Sequence, residues 1–242
     1  LFGPVYHQND LELVYFFNDQ KKGLYIQIIQ DRKYKNNYIS IRYDTETRIR
    51  IEELLESLRD VSYNTQKKDG KISEKIIGQV EEVCNALIKC YKEGHRVYMM
   101  GNGGSAADAQ HFSAELVGRY MLERKGLPAV AFTTDTSILT AVGNDYGYDD
   151  VFRRQTEALV EKGDVVFGIS TSGNSKNVYD ALKLAQEKGA TTVGFLGKTG
   201  GTCKEVCNIP IVIEYPRTPN IQEAHEMIMH TICEIVEKKL YE

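Results

Sequence analysis

The sequence has no surplus of positive charge: 242 residues carry 30 lysines and arginines against 34 acids, a net charge of -4. Nucleic acid is therefore a poor partner, because gripping a phosphate backbone needs concentrated basic surface. No apolar run approaches the roughly 20 residues that cross a bilayer, and no secretory leader pattern is present. A cytoplasmic chain with no membrane partner is expected. Cysteine is scarce and odd in number: Cys84, Cys90, Cys203, Cys207 and Cys233. Cys203 and Cys207 are four apart and could hold a metal or oxidise, but no second pair completes a zinc knuckle. They read as small apolar helix residues of a reduced protein. An initiator methionine is also lacking, since Leu1 opens the chain, and an upstream or removed segment is expected.

What is present fits one globular α/β domain with an appendage, at 42% hydrophobic and 26% charged residues. Residues 1–45 differ from the rest. The runs LELVYFF, LYIQIIQ and YISIRYD alternate aromatic and β-branched with polar residues between polar turns, which predicts a small antiparallel meander. It is an N-terminal extension or the tail of an upstream domain, and His7 within it reads as a surface or turn residue. From about Thr45 the period becomes helical. IRIEELLESLRDV is amphipathic, as is ISEKIIGQVEEVCNALIKCYKEG, with Ser73 as its cap and Gly94 as its stop.

Strands and helices then alternate. RVYMM, PAVAF, DVVFGIS, TTVGFLG and IPIVIE read as five strands, with helices between them and a closing helix from Asn220 to Glu242. Continuous Val/Ile/Phe-rich strands indicate a mainly parallel sheet covered on both faces. Ligands of such sheets bind beyond the carboxyl ends of the strands. Two unusual loops fall at that end. The first, MGNGGSAADAQHFSAE, combines Gly101, Gly103 and Gly104 with a helix start able to hold an anion. It has neither the G-x-G-x-x-G spacing of a dinucleotide loop nor the Gly-Lys-Ser/Thr ending of a Walker loop. His111 and Glu115 follow at i and i+4 on one helix face. The second loop, STSGNS, sets Ser170, Thr171, Ser172 and Ser175 around Gly173 just before a helix. Such hydroxyls can solvate a phosphate without lysine or arginine; a simpler reading makes Ser172 or Ser175 an N-cap.

With these loops the chain resembles the sugar isomerase (SIS) domain family, and within it the phosphoheptose isomerases. The resemblance rests on GNGGSAADAQHFSAELVGRY, TTDTSILTAVGNDYGYDDVF, GDVVFGISTSGNSKNV and RTPNIQEAHEMIMH, and spans roughly residues 51–241. It implies a three-layer αβα sandwich around a five-stranded parallel sheet over residues 46–242. It also implies a homotetramer with active sites near subunit interfaces. The implied reaction converts sedoheptulose 7-phosphate to D-glycero-D-manno-heptose 7-phosphate, a precursor of surface polysaccharide, with zinc bound. Matched position by position, Asn102, Gly103, Gly104 and Ser105 contact substrate, as do Glu115, Asn144, Asp145 and Gln222. Ser170, Thr171, Ser172 and Ser175 hold its phosphate. His111, Glu115, Gln222 and His230 ligate zinc, and Glu115 and His230 are the acid/base pair.

The chemistry agrees with those residue types. Isomerisation through an enediol needs a base at C1 and C2 and a second group to handle oxygen protons. Taken alone, His111 and Glu115 would be an ordinary helix pair. Gln222, Glu226 and His230 recur every four residues along one stripe of the closing helix; His225 lies off it and reads as structural, Glu226 as solvated or at an interface. Arg119 reads as an interface or capping residue, and Tyr146 and Tyr148 as packing residues with polar tips. Three alternatives share the loops: a non-catalytic SIS binding module of the type that associates with a replication initiator, a phosphosugar-sensing regulatory domain, and an isomerase of another sugar phosphate. The presence of both Glu115 and His230 favours chemistry, and no basic recognition helix precedes the core.

Overall fold

A computed structural model describes four N-terminal strands and residues 74–241. The chain divides into two compact units, Leu1–Arg59 and Asp60–Glu242. In the first, β1 (His7–Gln8), β2 (Leu11–Asp19), β3 (Leu24–Asp31) and β4 (Asn36–Tyr43) form an antiparallel sheet in sequence order. The three alternating runs are therefore strands. The two-residue β1, which places His7 in a strand rather than a turn, joins them through His7 opposite Glu12. Two residues are too few to carry a period, so this pairing was not legible. The amphipathic run IRIEELLESLRDV and the cap at Ser73 lie outside the described residues.

The second unit begins with α1 (Glu74–Lys92), which closes at Gly94 in a left-handed conformation (φ 82°). Then follow β5 (Val97–Gly101), α2 (Gly104–Val117), β6 (Ala129–Ala131), α3 (Thr136–Asp145) and α4 (Arg153–Leu159). The unit ends with β7 (Val165–Ser170), α5 (Lys176–Glu187), β8 (Thr191–Gly197), β9 (Ile209–Ile213) and α6 (Thr218–Tyr241). Short 3₁₀ turns occupy Tyr148–Asp150 and Thr202–Val206. The five strands pair in parallel in the order β6-β5-β7-β8-β9.

Every residue of β5 and β7 is buried, while the edge strands β6 and β9 alternate. That is the pattern of a sheet covered on both faces. Alternate side chains feed two cores. Val97, Met99, Phe167 and Phe195 meet α1, α2 and α6 on one face; Tyr98, Met100, Val166 and Leu196 meet α5 and the residues that flank α4, Phe152 and Val160, on the other. The result is a three-layer αβα sandwich. Phe112 of α2 packs edge-on to Phe167, with ring centroids 5.0 Å apart, and stacks over Phe195 at 6.3 Å. This aromatic contact seats α2 on the sheet and turns its neighbour His111 towards α6. Among the described residues no helix is long and apolar enough to cross a membrane.

Candidate active site

Strands β5 and β7 are neighbours, and the chain leaves them for opposite sides of the sheet order. The loops after them therefore flank the topological switch point, where open α/β sheets bind ligands. In the first loop Gly103 is the N-cap of α2, with φ 58°, a backbone state that side chains disfavour. No side chain caps this helix start; the Ala106 and Ala107 N–H groups turn back to the Gly103 carbonyl at 3.0 and 3.3 Å, and the positive end of the helix dipole faces the loop. Ser105 is buried beneath the loop, its N–H donating to the Asn102 carbonyl at 3.0 Å.

The second loop is stitched together by its own hydroxyls. Ser170 Oγ lies 2.9 Å from Ser175 Oγ and 3.4 Å from Ser172 Oγ, and accepts from the Gly173 N–H at 3.1 Å. Ser175 occupies the N-cap position of α5 but makes no capping hydrogen bond, and Ser172 Oγ accepts from Asn174 N within the loop. The simple capping explanation therefore fails. Thr171 is half-buried beside them. A Cβ on Gly173 would stand 2.3 Å from the Gly200 backbone, so only glycine allows the loop following β8 to press against this one. Asn102 ties the two loops: it exchanges paired amide hydrogen bonds of 2.9 Å with Asn177 of α5.

The first loop also meets α6. A Cβ on Gly104 would fall 2.5 Å from the Gln222 amide, which therefore lies directly over the loop. Gln222 Nε2 donates to Asp108 Oδ1 at 3.1 Å, an orientation that leaves Gln222 Oε1 free. One and two turns further on, α6 faces α2 again. His111 Nε2 lies 3.2 Å from Glu115 Oε1 and 3.4 Å from His230 Nε2. One donor atom from each of His111, Glu115 and His230 falls within 4.8 Å of the other two. The donors of a tetrahedral zinc stand about 3.4 Å apart at its bond lengths. Two of these spacings match that edge, so the three side chains fit a metal ion.

Asn144 and Asp145 stand apart from both groups. They end α3 at the surface, where Asn144 Nδ2 donates to Asp145 Oδ1 at 2.8 Å. Tyr146 and Tyr148 lie outside the core, each 60% exposed, with the Arg154 guanidinium 5.1 Å over the Tyr146 ring. Their neighbours in the single chain are too few to cover the rings. Tyr148 OH instead donates to Asn102 Oδ1 at 3.2 Å, at the rim of the site. Arg119 pairs with exposed Glu123 at 3.6 Å. His225 is structural: it is buried, lies 3.2 Å from the Leu196 carbonyl and stacks on Phe195, and burial lowers its imidazole to about 4. Glu226 approaches His111 Nδ1 at 3.9 Å. Cys203 and Cys207 belong to a 3₁₀ turn and its cap rather than an α-helix, with Cys207 Sγ donating to the Cys203 carbonyl.

Sequence reasoning missed Asp108 and Tyr148. Asp108 is a buried carboxyl with one oxygen unpartnered. Burial raises it to about 6, with Gln222 opposing, Glu226 adding and His111 opposing. Its position one turn before His111, on the face shared with Glu115, was the available signal. Tyr148 offered none, because its contact crosses 46 residues.

Fold and site together define a sugar isomerase domain, and residues 64–197 match the family described as SIS domain. Phosphoheptose isomerase of Geobacter metallireducens is 55% identical over 170 residues, 70% of this chain and 90% of that protein. The solved phosphoheptose isomerase of Neisseria gonorrhoeae superposes with a TM-score of 0.70 at 36% identity, over 79% of this chain and 99% of that one. The Francisella tularensis phosphoheptose isomerase gives 0.73 at 30%, over 79% and 98%. The chain belongs to the phosphoheptose isomerase family.

Proposed function

We propose that this protein isomerises sedoheptulose 7-phosphate to D-glycero-D-manno-heptose 7-phosphate, supplying a heptose precursor of surface polysaccharide. The observation that carries this reading is the convergence of Glu115 and His230, from separate helices, in an α/β unit whose switch-point loop is rich in hydroxyls. Ser170, Thr171, Ser172 and Ser175 bind the phosphate with the N-terminus of α5. Asn102, Gly103, Gly104, Ser105 and Gln222 orient the sugar chain. Glu115 takes the proton from C1 of the ketose and returns it to C2. His230 carries the proton that must leave the O1 side and reach O2 as the enediol forms and collapses, so charge and protons balance.

His111, Glu115, Gln222 and His230 would hold zinc. When bound, the metal supplies Lewis acidity towards the substrate oxygens and stabilises negative charge there. Assembly as a homotetramer is supported by α3, which has no fully buried residue in the single chain and leaves Ile138 half-buried while Leu139 and Val142 lean on the core. An apolar groove between α1 and α6, lined by Ile77, Val80, Met227 and Ile235, supports it too. Asn144 and Asp145 then serve a site completed at a subunit boundary. A phosphorylated sugar as substrate supports a cytoplasmic enzyme.

The test is incubation of the purified protein with sedoheptulose 7-phosphate, following aldose formation with and without a chelator, with hexose and pentose phosphates in parallel. Aldose from the heptulose, lost on chelation and restored by zinc, is expected. Faster turnover of a hexose or pentose phosphate would reassign the substrate, and no turnover of any would favour a binding module.

A further inference from the structure

Behind the acid/base pair lies a second charged pair that the isomerisation steps leave unused. Arg124 and Glu237 are each 2% exposed at the side chain, and Arg124 Nε donates to Glu237 Oε2 at 2.6 Å. Glu237 also accepts three successive backbone N–H groups: Tyr120 at 3.0 Å, Met121 at 2.7 Å and Leu122 at 2.6 Å. Arg124 reaches the other way. Its Nη2 donates to the Glu115 carbonyl at 2.9 Å and its Nη1 to the Leu116 carbonyl at 3.0 Å. Those carbonyls end α2, where a helix has no internal donors left to offer.

One buried carboxylate thus fixes two things to α6: the turn of α2 that carries Glu115, and the segment from Tyr120 to Leu122. Tyr120 in turn lies nearly parallel to the His230 ring, with centroids 5.9 Å apart and planes inclined by 24°. Glu237 stands seven residues beyond His230, on the same face of α6. A buried ion pair is seldom worth more to stability than an apolar pair of equal volume, because both charges lose their water. What this one provides is a set of fixed directions, four hydrogen bonds converging on one carboxylate.

We propose that Glu237, acting with Arg124, is a positioning residue for turnover: it holds Tyr120 against His230 and the end of α2 beneath Glu115. This rests on the reading that Glu115 and His230 perform the proton transfers. Displacing either by a fraction of an ångström costs rate rather than affinity, because the phosphate loop still binds substrate.

The experiment measures kcat and KM for sedoheptulose 7-phosphate in the full chain with Glu237→Gln, Tyr120→Leu, Tyr120→Phe, Glu237→Gln/Tyr120→Leu and Glu115→Gln. Thermal unfolding is followed alongside. Glu237→Gln turns an amide NH₂ towards donors, and is expected to lower kcat about tenfold with KM within about twofold of wild type. Tyr120→Leu does the same, whereas Tyr120→Phe, which keeps the ring, retains roughly half or more of kcat. The double variant loses no more than the worse single one, because both changes act through one contact. A multiplicative loss in the double variant, a rise in KM alone, or wild-type kcat in Tyr120→Leu overturns the proposal. Should Glu237→Gln not fold, the Leu and Phe variants of half-buried Tyr120 decide the matter alone. An inactive Glu115→Gln beside fully active Glu237→Gln and Tyr120→Leu removes only the positioning role. Full turnover in Glu115→Gln removes the acid/base reading and this proposal together.

Discussion

At the scale of single residues, two side chains of similar type in one helix have opposite fates. His230 shares its stripe of α6 with Gln222 and Glu226 and opens onto His111 and Glu115, whereas His225 points into the core. The difference follows from their helical offset. His230→Asn should cripple turnover and lower the bound zinc measured by metal analysis; unchanged stoichiometry would show that His230 is not a ligand. His225 makes a prediction about stability instead. Burial holds its imidazole near 4 against an ordinary 6.5. Between those values the unfolded chain takes up a proton that the folded chain refuses, so stability falls as pH drops from 6.5 towards 4. His225→Gln keeps a donor for the Leu196 carbonyl and does not titrate. Its melting temperature should therefore decline less over that window than the wild-type value, and parallel curves would show that His225 does not govern the loss.

At the scale of elements, what could be read early was whatever one segment encodes alone. The glycine turn into α2, the hydroxyls ahead of α5 and the four-residue steps of α6 are local patterns, and the corresponding elements appear where expected. Contacts between segments were not readable. Nothing in Gly104 announces that α6 lays the Gln222 amide on it, and nothing in Glu237 announces three backbone donors from the segment after α2. These hidden contacts yield two separable expectations. Gly104→Ala lies in the first turn of α2, where alanine favours helix by up to about 1 kcal/mol, yet its methyl displaces Gln222. Melting should hold or rise while kcat/KM falls; intact activity would mean the placing of Gln222 is dispensable. For Glu237, burial alone would raise the carboxyl. The N–H groups of Leu122, Met121 and Tyr120 and the Arg124 guanidinium outweigh burial and hold it at about 2 against 4.5. Its stabilisation is therefore complete above pH 4.5 and lost as pH falls through about 2. The gap in melting temperature between wild type and Glu237→Gln should close over that range, and a gap independent of pH would contradict the charge-based account.

At the scale of the whole molecule, the chain joins an α/β unit that carries the SIS match to a separate N-terminal unit. The SIS match begins at residue 64, and the compact α/β unit holds every side chain assigned to substrate or zinc. Strands β2, β3 and β4 were legible because alternation over seven or more residues is a strong signal, but a sheet so built carries no chemistry in its pattern. The α/β unit forms its two cores, its loops and its His/Glu/His group from its own residues. The surfaces expected to meet other copies, α3 and the α1/α6 groove, also belong to it. Removing residues 1–45 should therefore leave kcat, KM and the number of subunits, measured by light scattering, as in the full chain. A truncated protein that folds and melts cooperatively but turns over no substrate, or loses subunits, would make the N-terminal sheet a working part of the enzyme.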